Sequence, residues 1–332
     1  MEIETGKYWH IFRNRFEDYF NILANSNLKR LSKMSPEEFF SNPNIMLHGI
    51  ETTILKLITR TLFRRIFKIE TKMQQCQFEV VNSSNKYNCP YEYCETYTEI
   101  DMAKIVSAEK QFLTDFVCNH IATHKNIYQQ KHIVVMHNTD SLGVQSSFAL
   151  RRTLESYSKN VVFFFTARSF SNLESAIQSR FMFVRCNVPI DYKIAFLEKF
   201  LDDNSIEHQI EIDPRDSIVE MLLKISSNNN VENTIETTIR KFLQGLFLEK
   251  NILKACEITR TFAYKILHFN VTFARIAQDV IDVLSTQRKF VNKMHDVVQL
   301  SADMETESHS VSKKSLILEQ YFLCLYSYAN MK

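Results

Sequence analysis

Four short, nearly continuous apolar runs stand out in the first 190 residues: NIMLH (44–48), HIVVM (132–136), VVFFFTA (161–167) and FMFVRC (181–186). Each has the length of a strand, and each reads as buried on both faces. A fifth stretch, QFEVV (77–81), has β character, and a polar loop through SSNKYNCP follows it. Between the runs the period changes to that of a helix. Ile54, Leu55, Ile58, Leu62 and Ile66 recur at three and four residues across 51–67. Ala103, Ile105, Val106, Phe112, Leu113, Phe116 and Val117 give an apolar face to a helix over 101–124, and a further helix covers 145–158. Ser35, followed by proline and two glutamates, is a helix-start signature. Strands alternating with helices predict a parallel sheet covered on both faces. After Pro189 the β pattern stops. DYKIAFLEKFLDD is amphipathic, helical text runs to about Lys224, SSNNNVEN (226–233) reads as a linker, and helix follows from Thr234 to the end, with a polar loop at 301–313.

Composition narrows the function classes. A chain of 332 residues, 45% hydrophobic and 23% charged, suits two or three folded domains. The formal charge of +2 provides no general field for nucleic acid, so any DNA contact needs a local patch. Only four glycines are present, Gly6, Gly49, Gly143 and Gly245, and no two share a loop. That excludes an intact Walker A loop and an intact dinucleotide fingerprint, which need clustered glycines. The seven cysteines lack paired CxxC spacing, so reduced thiols of an intracellular protein are the expectation, with no metal site. His120, His124 and His132 have no acid at metal spacing and read as structural. The first twenty residues are dense in charge, so no signal peptide is expected, and no apolar run reaches the roughly 20 residues of a membrane span.

The order of elements in 150–189, LRRTLESYSKNVVFFFTARSFSNLESAIQSRFMFVRCNVP, carries a more specific signal. It resembles a small subunit of replication factor C, a clamp-loader AAA+ family, and more distantly the bacterial delta-prime subunit. The helix ALRRTLE (149–155), the box HNTD (137–140) and the motif SRF (179–181) occupy the family's positions in order. NIMLHG aligns with the strand before the family's phosphate loop, and DYKIAFLEKF with the start of its lid. The resemblance implies an α/β AAA+ fold, with a Rossmann-like domain over 1–188, a helical lid over 189–230 and an all-α collar for oligomerisation over 231–332. It also implies that Arg180, next to Ser179, is an arginine finger reaching a neighbour's ATP and magnesium.

Departures from the family are equally specific. Gly49 is followed directly by IETTILK, so the loop is shortened and its second glycine and lysine are missing; Thr52 and Thr53 stand near the helix start, and Lys56 lies one turn inside it. His137 and Asn138 replace the acids that organise metal and water, Asp140 matches the last acid of the box, and Arg168 replaces the polar sensor. No intrinsic ATP hydrolysis and no cofactor of its own are therefore expected. Arg151 and Arg152 read either as contacts to a DNA backbone or as a solvated helix face, with Arg151 pairing to Glu155. Arg60, Arg64, Arg65 and Lys68 admit the same two readings. The expected role is a non-catalytic clamp-loader-like subunit. Its partners would be other AAA+ subunits, a PCNA-like sliding clamp and primer-template DNA, with no membrane. Its place would be the site of DNA replication, the nucleus or, for a viral chain, a viral factory. A scaffold that kept the fold and lost clamp loading, and an atypical ATP-binding protein, are the alternatives.

Overall fold

The structure, a computed structural model, describes residues 7–42, 44–49, 51–68, 72–82, 85–105, 108–121, 131–171, 173–206, 216–226, 235–268, 271–310 and 314–330. Residues 14–205 form one compact unit, and residues 1–13 with 206–332 form another. Helix α1 (Lys7–Asn14) begins in the second unit.

The sheet unit starts with three short helices, α2 (Phe16–Leu23), α3 (Ser26–Leu31) and α4 (Pro36–Ser41). The last opens on the expected capping box, in which Ser35 Oγ accepts from the Glu38 N–H at 3.2 Å and Glu38 accepts from the Ser35 N–H at 2.9 Å. Strand β1 (Asn44–His48) leads into α5 (Thr52–Phe67). Next come β2 (Gln74–Asn82), β3 (Asn85–Tyr93), β4 (Tyr97–Asp101), the short α6 (Glu109–Phe112) and a π-type continuation, Leu113–Ile121. Then follow β5 (His132–His137), α7 (Val144–Ser156), β6 (Val161–Ala167), α8 (Ser175–Gln178), β7 (Phe181–Arg185) and α9 (Ile190–Asp203).

The seven strands pair in the order β2-β3-β4-β5-β6-β1-β7. From β4 to β7 every neighbouring pair is parallel, while β2–β3 and β3–β4 are antiparallel. This is an α/β architecture, a parallel sheet lengthened by an antiparallel hairpin. All seven residues of β6 are buried. Successive side chains alternate between faces. Phe163 and Phe165 join Phe112, Phe116 and Leu150 on one side, while Phe164 meets Phe39 and Phe63 on the other.

Three elements differ from expectation. The loop expected through SSNKYNCP is strand from Asn85 onward, in register with β2. Pro90 is tolerated there because β3 pairs with β4 only through Glu92 and Tyr93, so its missing N–H interrupts no ladder on that side. The helix expected over 101–124 starts late. Asp101 ends β4, its carboxylate accepts from the Ala103 N–H at 3.2 Å, and a 3₁₀ turn precedes α6. The polar loop expected at 301–313 is helical to Ser310, because Ser301 and Met304 are buried while the intervening polar residues face out.

The helical unit contains α10 (Ile218–Ser226), α11 (Ile235–Leu248), α12 (Ile252–His268), α13 (Phe273–Ser285), α14 (Met294–Ser310) and α15 (Lys314–Asn330). Its core centres on Phe242 stacked on Phe262 at 3.7 Å, with Phe322 edge-on to both. Beyond Ser226, the expected linker lies outside the described residues. Helix α9, which the sequence assigns to a lid, packs Phe196 and Phe200 on Tyr19 within the sheet unit.

Candidate functional site

In a doubly covered parallel sheet, ligands gather at the carboxyl ends of the strands. Gly49, Thr52, His137, Asn138 and Asp140 lie at or near those ends, whereas Ser179 and Arg180 precede β7 at its amino end and Arg151 and Arg152 lie on α7. Gly49 follows β1, and the strand end is pinned on two sides. Its N–H donates to Ala167 O at 3.1 Å, and the Cys186 N–H donates to His48 O at 2.8 Å. A Cβ at Gly49 would lie 3.1 Å from Asn187 Oδ1 and 3.2 Å from the Cys186 carbonyl carbon. The turn is thus pressed against the segment that leaves β7.

Helix α5 begins at Thr52, which is buried and whose Oγ1 has no hydrogen-bond partner; Thr53 is half-buried. The N-cap residue is Glu51, whose side chain does not cap the helix. Its Oε1 lies 2.7 Å from Lys193 Nζ on α9, with the two side chains 12% and 11% exposed. Lys56 is turned away from this end, 3.6 Å from both Glu92 and Glu99.

The box residues of β5 are committed sideways, to neighbouring strands. His137 Nε2 lies 2.6 Å from Glu99 Oε1, and its Nδ1 lies 2.9 Å from Thr166 Oγ1. Ionised Glu99 can only accept, so Nε2 carries the proton. Arg60 reaches the same carboxylate at 2.8 Å and also pairs with Glu92. Burial pushes the Glu99 carboxyl up, but the hydrogen bond from His137, with Lys56 and Arg60 close by, outweighs it and holds the group far below its ordinary 4.5. The Thr166–His137–Glu99 series has the order of a nucleophile triad. However, its members are 1%, 3% and 2% exposed, so no substrate reaches them, and the series is a buried polar network. Asn138 adopts the left-handed conformation at φ 55° and donates to Asp101 at 2.7 Å. Asp140 accepts from the Arg168 N–H at 3.2 Å. Burial lowers the Arg168 pKa, and Asp140 partly opposes the shift.

These groups do not fit a nucleotide with magnesium. Lys56 is engaged with two acids, and the first two box positions, His137 and Asn138, carry an imidazole and an amide. Among the described residues, no cluster of three or more histidine, cysteine, aspartate or glutamate side chains could hold a metal. His124 lies outside the described residues, and His132 starts β5.

The second group of residues lies where α8 meets β7. Arg180 is about one-third exposed and is turned back on its own surroundings. Its Nη2 lies 2.6 Å from Glu155 Oε1, and Nη1 donates to Ala176 O and to Ser179 Oγ. Ser179 Oγ donates to Ala176 O at 3.1 Å. Arg151 pairs with Glu155 at 3.4 Å and Glu174 at 3.5 Å, and Arg152 is exposed on the same helix. The basic face of α5 is largely consumed within the fold. Arg60 joins the buried network, and Arg65 pairs with Glu17 and lies 4.3 Å over the Phe20 ring. Sequence reasoning missed Glu99, Glu92, Glu51 and Lys193. The only signal in the sequence was an acid placed inside the apolar alternation of YTEID.

Comparison with known proteins agrees with the resemblance over part of the chain. No family model matches. Replication factor C subunit 5 of Saccharomyces cerevisiae is 31% identical over 96 residues, which is 29% of this chain and 26% of that protein. The matched stretch therefore spans about a quarter of the relative's length. Among solved structures, a DNA polymerase III gamma subunit-related protein of Thermotoga maritima is 13% identical with a TM-score of 0.39, covering 91% of this chain and 99% of that one. Caenorhabditis elegans PCH-2 is 16% identical with a TM-score of 0.32, covering 75% of this chain and 68% of that one. The similarity to subunit 5 is a likeness over that 96-residue stretch. Among the described residues, no helix is long and apolar enough to cross a membrane.

Proposed function

We propose that this chain is a non-catalytic subunit of a clamp-loader-like assembly in DNA replication, holding a place in a ring and presenting Arg180 to the ATP site of a neighbour. The observation that carries the reading is a contrast within one unit. Gly49, His137 and Asn138 are spent on contacts that close the sheet end and Lys56 is held by two acids, while Arg180, although paired with Glu155, keeps a part-exposed guanidinium at the junction of α8 and β7. An arginine suits this task because its planar guanidinium stays charged and matches phosphate oxygens. In this reading the sibling AAA+ subunits supply ATP and magnesium, and a PCNA-like clamp and primer-template DNA are the further partners. Arg151 and Arg152 are candidates for contacts to the DNA backbone.

The test is to isolate the chain with its bound partners and measure ATP hydrolysis. The purified chain alone is expected to be inactive. Arg180→Ala in the complex should slow the site it serves by about 10³ or more. An unchanged rate in a complex of normal composition overturns the role of Arg180. The pairing of Arg180 with Glu155 favours the second reading, a scaffold that kept the fold and lost clamp loading. Recovery of partners that include neither a sliding clamp nor a sibling AAA+ subunit would select it.

A further inference from the structure

We infer that Glu155 is a positioning residue for Arg180. Its carboxylate is shared between Arg180 and Arg151, and Arg151 takes it over when Arg180 turns to a phosphate outside the chain. The inference rests on the reading of Arg180 given above. Glu155 stands in the last turn of α7, and Arg151 one turn before it. A single oxygen, Oε1, meets both guanidinium groups: Nη2 of Arg180 lies 2.6 Å away and Nε of Arg151 3.4 Å. Arg151 is anchored at another nitrogen, Nη1, which lies 3.5 Å from Glu174 Oε1. Positive and negative groups thus alternate in the order Arg180, Glu155, Arg151, Glu174. The grip of Arg151 on Glu155 is incomplete. It uses Nε alone, and among the described residues nothing accepts from the neighbouring Nη2. A guanidinium holds a carboxylate best through two parallel bonds, so Arg151 has a second bond in reserve. Arg180 is complementary. Ala176 O and Ser179 Oγ occupy Nη1, Glu155 occupies Nη2, and among the described residues nothing accepts from Nε. An outside oxygen can approach that edge, but a phosphate there would face the Glu155 carboxylate across the same guanidinium, and like charges repel. Arg180 serves a phosphate fully only when the carboxylate withdraws, and Arg151 is the group placed to receive it. The pair to be broken is weak. Its side chains are 32% and 45% exposed, and an exposed pair holds by about fivefold at most. Engaged with two acids, Arg151 is less free for a DNA backbone than Arg152 beside it.

The test reads two quantities. One is the rate at which phenylglyoxal, a dicarbonyl that condenses with guanidinium groups, modifies Arg180 in the purified chain, followed by peptide mass analysis. The other is ATP hydrolysis at saturating ATP by the complex isolated with the chain. Glu155→Gln releases Arg180, so both should rise by about two- to fivefold. Arg151→Gln leaves Glu155 to Arg180 alone, so both should fall by a similar factor. The double variant should match Glu155→Gln, because Arg151 acts through that carboxylate. A bridge that merely supports the fold would give losses in both single variants. Changes of the same sign, or no change in either readout, overturn the inference. Arg180→Ala separates it from the reading on which it rests. A normal rate in that complex sinks both, whereas a slowed Arg180→Ala beside an unaltered Glu155→Gln sinks the exchange alone. If Glu155→Gln fails to fold, salt decides with the wild-type chain. Chloride screens an exposed pair, so modification of Arg180 should speed up between about 0.01 and 1 M sodium chloride relative to Arg152, for which no partner lies among the described residues. An unchanged ratio overturns the inference.

Discussion

Replacing Glu99 by glutamine probes the network that fills the carboxyl ends of β4 and β5. The side chain is 2% exposed and receives Arg60 at 2.8 Å and His137 at 2.6 Å, with Lys56 at 3.6 Å. Glutamine keeps the shape but removes the charge, leaving Arg60 and Lys56 to share Glu92 alone. Its amide also turns a donor toward a set of donors. Breaking a buried pair on one side costs about 3 to 5 kcal/mol. For a unit of this size that corresponds to a Tm lower by about 10 °C. The pH dependence gives an independent check. The Glu99 carboxyl titrates far below its ordinary 4.5 when folded, so the unfolded chain takes up this proton first as pH drops. Its contribution is complete above roughly pH 5 and erodes as pH falls below that value toward the folded pKa. Wild type should therefore lose stability more steeply below pH 5 than Glu99→Gln does. Urea unfolding at a series of pH values measures both effects. A variant within about 1 kcal/mol of wild type, or parallel acid limbs, would refute the reasoning.

Gly49→Ala should cost about 1 to 3 kcal/mol, because the new methyl meets Asn187 Oδ1 at 3.1 Å and main chain at 3.2 Å; a thermal melt equal to wild type would show that the turn can give way. Cys186 is buried and its thiol is pushed up to about 12 by burial, so it should be the slowest of the seven cysteines to alkylate in native protein at mildly alkaline pH, as read by peptide mass analysis. Tyr321→Phe removes the bond to Ser301 Oγ at 2.9 Å inside the helical core and should cost about 1 kcal/mol in chemical denaturation, held to that value because Ser301 Oγ still donates to Val297 O at 2.7 Å.

The apolar runs that became β1, β5, β6 and β7 were legible because both faces of a parallel sheet are covered, so their residues are apolar without alternation. Strands β3 and β4 were not legible. Pro90 and the polar residues around it mimic a loop, and only pairing with β2 makes a strand of them. The π-type continuation through Cys118 was equally hidden, since its apolar face fits an ordinary helix equally well. At the site, substitutions along β5 could be read one residue at a time, but their partners could not. His137 looked like a simple loss of an acid, whereas it is joined to Glu99 across 38 residues of sequence. Arg60 read as part of a basic surface, yet its side chain is only 17% exposed, because two acids on β3 and β4 draw it inward.

Strand ends that serve a phosphate must leave their polar groups free for it. Here they bind one another instead. Asn138 reaches Asp101 across β5 and β4, His137 joins β5 to both β4 and β6, and Asp140 takes the main-chain N–H of Arg168 just beyond β6. Each link satisfies a group that the interior would otherwise penalise, and together they make the sheet end self-sufficient. For that reason a single restored acid does not reopen it. An aspartate at position 137 would face Glu99 close to hydrogen-bond distance, where two carboxylates cannot both ionise, so one would hold a proton instead of a cation. It would also strand Thr166 and leave the turn at Gly49 pressed against Asn187 as before. Under the proposed reading, building a nucleotide site here would require changing the turn, the helix start and the box together. The closure therefore belongs to the cross-linked set, and no one substitution accounts for it.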